Sequence, residues 1–135
     1  MTLARFDHVL DTSAILAVIL GEPEGTSVVD LLEDAKREKT SIGLPFIALM
    51  ESEYKLLRLF TADDVTGSLR LVHGWPALVV ESNEDWCHEA ARIKASGGLS
   101  LADAWVAALA VLTDARLVHM DPEFERVPSL KSMRL

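Results

Sequence analysis

Phe6-Asp7-His8-Val9-Leu10-Asp11-Thr12-Ser13-Ala14-Ile15-Leu16-Ala17-Val18-Ile19-Leu20 is the stretch on which the fold turns. Phe6 to Leu10 reads as a first strand. Thr12 to Leu20 reads as a helix that Gly21-Glu22-Pro23 breaks. A short strand running straight into a helix is how an α/β layer begins.

The alternation continues along the chain. Thr26 to about Lys39 is predicted as a helix with Val28, Val29, Leu31, Leu32 and Ala35 on one face, and Thr40 to Leu44 as a short strand. Pro45 suits the first turn of the next helix, which runs from Phe46 to about Phe60. Thr61-Ala62-Asp63-Asp64 has capping-box-like spacing and opens a helix closed by Gly74-Trp75-Pro76. Ala77 to Val80 is a third strand. Asn83 caps a helix ending at Gly97-Gly98, and Ser100 caps another through Leu112. Arg116 to His119 is a fourth strand, and beyond Phe124 the pattern thins out. Strands alternating with helices predict an α/β fold with a mainly parallel central sheet. No repeat or linker interrupts it, so residues 1–135 are expected to form one domain.

Composition bounds the function. At about 150 residues per domain, 135 residues with half of them apolar suit one buried core. The lone Cys87 excludes an internal disulfide, and His8, His73, His88 and His119 show no zinc-ligand spacing. Cys87 itself, beside Trp86 in a helix, is expected to be a half-buried small residue. The net charge of -8 argues against a duplex reader with a broad basic face. The apolar run from Ala104 to Leu112 is far short of the ~20 residues that cross a bilayer. With no basic leader ahead of Ala14 to Leu20, the chain is expected to be soluble and cytoplasmic.

In open α/β sheets, ligands bind beyond the carboxyl ends of the strands. Asp11 follows the first strand, Asp121 follows the fourth, and Asp103 lies one turn into the helix that Ser100 caps. Each alone reads as readily as a helix cap. Asp103 is harder to explain that way, because it is the only ionisable group between Ser100 and Thr113 in a helix otherwise apolar on all sides. An unpaired carboxylate buried there costs several kcal/mol unless it caps, pairs or meets a metal. Glu51 and Glu53 pose a similar question in the Phe46 helix. Periodicity alone does not select Glu51, and pairing of one Glu with Lys55 or Arg58 accounts for it equally well. Oxygen-only ligands favour Mg²⁺ or Mn²⁺ and suit attack of activated water on a phosphodiester. No Walker lysine loop, glycine fingerprint or Gly-x-Ser-x-Gly elbow is present, and His88 and His119 read as structural before catalytic.

Val9-Leu10-Asp11-Thr12-Ser13-Ala14, Leu49-Met50-Glu51-Ser52-Glu53-Tyr54-Lys55, Leu99-Ser100-Leu101-Ala102-Asp103-Ala104-Trp105 and Leu117-Val118-His119-Met120-Asp121-Pro122-Glu123-Phe124 resemble, in order, the four acidic motifs of PIN domains. The resemblance spans residues 6 to 126. It implies a three-layer α/β/α fold and a Mg²⁺- or Mn²⁺-dependent ribonuclease, most like the VapC-type toxins. It further implies an RNA substrate, a cognate antitoxin and a homodimer. Asp11 and Asp103 would be the most direct metal ligands, Glu51 and Asp121 would complete the cluster, and Ser13 would orient water or Asp11. Many members carry Thr or Ser two residues before the last Asp, where this chain has His119. The tail from Val127 to Leu135 matches nothing specific. A PIN nuclease of RNA processing and a non-catalytic PIN-fold interaction module are the alternatives, the latter suited by three Trp and the apolar stretches.

Overall fold

β1 (His8–Leu10) runs through the middle of a five-stranded sheet, paired in parallel with β2 (Ile42–Pro45) on one side and β4 (Arg116–His119) on the other. β3 (Leu78–Val80) pairs with β2 and β5 (Lys131–Arg134) with β4, both also parallel, giving the order β3-β2-β1-β4-β5. The computed structural model describes residues 4–135. Between the strands lie α1 (Thr12–Ile19), α2 (Gly25–Lys36), α3 (Phe46–Leu57), α4 (Ala62–His73), α5 (Glu84–Ser96) and α6 (Leu101–Leu112). The connections from β1 to β2 and from β2 to β3 step one way across the sheet. The return from β3 to β4 steps back, so crossovers of one hand place α5 and α6 on the opposite face. The result is a three-layer α/β/α fold around an all-parallel sheet.

The strands carry continuous apolar runs because both faces are covered. Val9, Leu10, Leu44, Leu117 and Val118 are fully buried. α6 packs against β1, β2 and β4, and Ala104, Val106, Ala107, Ala108, Leu109 and Ala110 are buried along it. Its apolar sequence thus reflects a central position, with only Leu101 and Leu112 exposed at its ends. Phe46, Trp86 and Trp105 meet edge to face with ring centres 5.1 to 5.4 Å apart. Trp86 Nε1 donates to the Trp105 carbonyl at 2.7 Å. This cluster fixes α3, which carries Glu51, against α6, which carries Asp103.

The caps expected at Thr61, Asn83 and Ser100 form, each side-chain oxygen accepting the amide three residues on. Several boundaries differ from expectation. Pro45 closes β2 and caps α3 with extended backbone instead of entering its first turn. α2 ends at Lys36 because the chain turns at Glu38, which takes a positive φ. Cys87 is exposed, not half-buried. The tail is structured: a short 3-10 helix (Pro122–Arg126) leads to β5, which pairs with β4 at the edge of the described sheet.

Candidate functional site

The direction of the connections reverses between β1 and β4, so their carboxyl ends frame the crevice where an open parallel sheet binds ligands. Asp11 stands at the end of β1 and caps α1. Its Oδ2 accepts from the Ser13 hydroxyl at 2.7 Å and from the Ser13 amide at 3.2 Å. Capping uses that oxygen alone. Oδ1 is buried, without a hydrogen-bond partner among the described residues, in a side chain only 4% exposed. Burial pushes the Asp11 carboxyl above the usual carboxylate range, opposed by the Ser13 and Thr12 donors and reinforced by the Glu51 charge.

Asp103 sits in the first turn of α6, where its amide donates to Ser100 Oγ at 3.2 Å. It is half-buried, and its pKa rises from 3.8 to about 6. Burial is the largest cause and the Asp11 charge the next; Glu51 and Asp121 add to it, while the Ser100 bond opposes it. No lysine or arginine is among the charges that shift Asp11 or Asp103. Asp121, past the end of β4, caps the 3-10 helix by accepting the Glu123 amide on Oδ1 at 2.9 Å. Asp103, Asp121 and Glu123 each bring one carboxylate oxygen to within 4.8 Å of the others.

Glu51 enters from the middle of α3. Its Oε1 accepts the Thr12 hydroxyl at 2.5 Å and its Oε2 the Tyr54 hydroxyl at 3.4 Å. Arg58, a possible partner on sequence grounds, lies over the Tyr54 ring at 4.9 Å, and Glu53 is exposed. The choice between the two glutamates turns on helix geometry. Ala48, Ser52 and Leu56 form the buried stripe of α3, and at 100° per residue Glu51 and Glu53 stand roughly equally far from its centre, on opposite flanks. Only the Glu51 flank faces α1 and Thr12.

Ser13 spans the crevice. Besides donating to Asp11, its Oγ accepts the Met120 amide at 3.1 Å, joining the ends of β1 and β4. His119 is fully buried; its Nδ1 accepts the Asp121 amide at 3.1 Å, and burial lowers its pKa, keeping the imidazole neutral at pH 7. His88 lies instead on an exposed face of α5, 3.5 Å from Glu84.

Ser13 thus bonds Asp11, and Asp103 feels the charges of Asp11, Glu51 and Asp121. The carboxylates that bring oxygens within 4.8 Å of one another among the described residues, however, are Asp103, Asp121 and Glu123, a set that includes neither Asp11 nor Glu51. Sequence reading missed Glu123, which resembles any exposed acid after a proline, and Thr12, whose bond joins residues 39 positions apart. The donor set is all oxygen, one buried carboxylate oxygen has no hydrogen-bond partner among the described residues, and burial together with neighbouring acidic charge raises the Asp11 and Asp103 carboxyls with no basic residue to offset it. These features fit a hard divalent cation.

Comparison with known proteins agrees with this fold. The sequence model of one family, the PIN domain, matches residues 8–130. No curated protein matches the sequence significantly. Among solved structures, the fold is similar to a chain of VapBC2 from Rickettsia felis bound to a DNA fragment from their promoter, with TM-score 0.79 and 17% identity over 94% of this chain and 97% of that one. It is similar also to a chain of DNA-bound VapBC from Salmonella typhimurium, with TM-score 0.73 and 20% identity over 98% of each chain. A third similarity is to Mycobacterium tuberculosis VapC20, a Sarcin-Ricin loop cleaving toxin, with TM-score 0.69 and 14% identity over 92% of this chain and 97% of that one.

Proposed function

The chain belongs to the PIN domain family, and from that membership we propose that it is a Mg²⁺- or Mn²⁺-dependent endoribonuclease, the toxin of a toxin–antitoxin pair. The observation that carries this reading is the set of acids whose charges act on Asp103 beside the carboxyl ends of β1 and β4, with Asp11 Oδ1 buried and without a hydrogen-bond partner among the described residues.

Asp11 and Asp103 would hold the cation most directly, with Glu51, Asp121 and Glu123 completing the shell. A divalent cation there supplies charge stabilisation to a phosphodiester and lowers the pKa of water. The remaining work falls to side chains of this chain. Ser13 fixes the Asp11 rotamer so that Oδ2 is occupied and Oδ1 is free. Thr12 holds Glu51 toward the crevice. The negative field of the site repels an RNA phosphate until cations offset it, so cleavage depends strictly on metal.

Residues 1–135 act as one PIN-like domain in this reading, working in the cytoplasm. No helix among the described residues is long and apolar enough to cross a membrane. Similarity to chains of VapBC complexes supports a cognate antitoxin as partner, and similarity to a Sarcin-Ricin loop cleaving toxin supports RNA as substrate. Leu57, Leu59 and Phe60 stand exposed at the α3–α4 turn, and apolar surface of this kind supports coverage by a protein chain, the antitoxin or a second copy.

The test is cleavage of a mixed single-stranded RNA by purified protein in EDTA, Mg²⁺ and Mn²⁺, beside Asp103→Asn. Metal-dependent cleavage lost in the variant is the expected result. Equal cleavage in EDTA, or by the variant, refutes the reading.

A further inference from the structure

The histidine that stands two residues before Asp121 is fully buried, although a neutral imidazole carries two polar nitrogens. Its Nδ1 lies 3.1 Å from the Asp121 amide nitrogen. A backbone N–H only donates, so Nδ1 bears the lone pair and Nε2 the proton. That Nε2 has no hydrogen-bond partner among the described residues; Glu125 Oε1 is 3.8 Å away. A buried donor left unmade is destabilising, so packing alone is a poor reason for a histidine here. An apolar residue against Phe124, whose ring centre is 5.0 Å away, would avoid the penalty.

The backbone around it gives a better reason. β4 ends at His119, and the next amides have left the sheet ladder. Side chains capture them in turn: Met120 donates to Ser13 Oγ, Asp121 to His119 Nδ1, and Glu123 to Asp121 Oδ1. The His119 carbonyl accepts from the Leu135 amide at 2.8 Å, which anchors the histidine to the end of β5. The imidazole is thus the fixed point from which the chain turns to present Asp121 and Glu123 to Asp103.

We infer that His119 is a positioning residue of the carboxylate centre, its Nδ1 holding the Asp121 amide so that Asp121 and Glu123 converge on Asp103. The inference deepens the metal-site reading above and, for its effect on affinity, rests on it. His119 touches neither cation nor substrate. What matters is an acceptor at the δ position of residue 119.

Three measurements test it. In the cation-free parent protein, long-range ¹H–¹⁵N NMR is expected to find Nδ1 unprotonated, with the Asp121 amide protected from exchange. His119→Asn keeps an acceptor oxygen at the δ position, and His119→Leu removes it. Mn²⁺ titration calorimetry is expected to give the Asn variant an affinity within about twofold of the parent. The Leu variant, folded by circular dichroism, is expected to bind on the order of tenfold more weakly. Parent-like Mn²⁺ affinity in the Leu variant, or a proton on Nδ1 in the parent, overturns the inference; the NMR result decides even if the Leu variant does not fold. A parent protein that binds no Mn²⁺ refutes the metal-site reading instead. Positioning is then decided by exchange of the Asp121 amide, slow in parent and Asn variant and fast in Leu if the inference holds, equal in all three if it fails.

Discussion

Thr12 donates its hydroxyl to Glu51 Oε1 at 2.5 Å, tying the first turn of α1 to the middle of α3 across 39 residues of sequence. Thr12 is itself buried. Glu51 Oε2 accepts instead from the Tyr54 hydroxyl at 3.4 Å, so the Thr12 bond is the one that ties Glu51 to α1. The bond therefore sets which way Glu51 points, a property of the site more than of the core.

Thr12→Val keeps the branched shape and removes the hydroxyl. It is expected to cost about 1 kcal/mol of stability and to lower RNA cleavage by about tenfold or more, as losses of ligand-orienting hydrogen bonds do. Thermal melts and initial cleavage rates read the two effects separately. Unchanged cleavage would mean that Glu51 needs no such support.

The pH dependence of stability follows from Asp103. In the unfolded chain it loses its proton near 3.8 and in the folded chain near 6, so across that window the folded state binds more protons and its stability falls as pH rises. Asp11, also raised, adds in the same direction, while the lowered pKa values of His8 and His119 act oppositely below 6.5. Comparing the parent with Asp103→Asn in EDTA isolates the aspartate. The variant's relative stability is expected to rise between about pH 4 and pH 7, as equilibrium urea unfolding would measure. A gap independent of pH would contradict the raised pKa.

Gly25 opens α2 where that helix packs against α1. A Cβ there would stand 2.6 Å from the Ala17 carbonyl oxygen, a contact that backbone alone can relieve. Gly25→Ala is expected to destabilise by about 1–3 kcal/mol while leaving Mn²⁺ affinity intact, since α2 lies away from the carboxylates. A melt at or above the parent's temperature would show that the two helices separate at little cost.

Much of this architecture is legible in the residues. Caps at Thr61, Asn83 and Ser100, breaks at Gly21-Glu22-Pro23 and Gly97-Gly98, and apolar runs between them mark the helices and four of the strands. β5 is not legible, because Lys131-Ser132-Met133-Arg134 is an edge strand with charged, exposed ends and no apolar alternation. Asp11, Asp103 and Asp121 stand out as acids just past strands or at a helix start. Glu51 does not, since Glu53 stands equally far from the buried stripe and the difference lies in what each flank faces. Glu123 and His119 depend on how the chain turns after β4, which local sequence patterns do not encode.

The central claim, that these carboxylates repel one another until a cation joins them, is tested most directly by thermal unfolding of the parent and Asp103→Asn at neutral pH, each in EDTA and in Mn²⁺. In EDTA the variant is predicted to melt higher, because it removes a charge that Asp11, Glu51 and Asp121 oppose. In Mn²⁺ the parent is predicted to gain stability and overtake a variant that gains little. A parent that melts higher in EDTA, or equal gains for both proteins in Mn²⁺, would contradict the account.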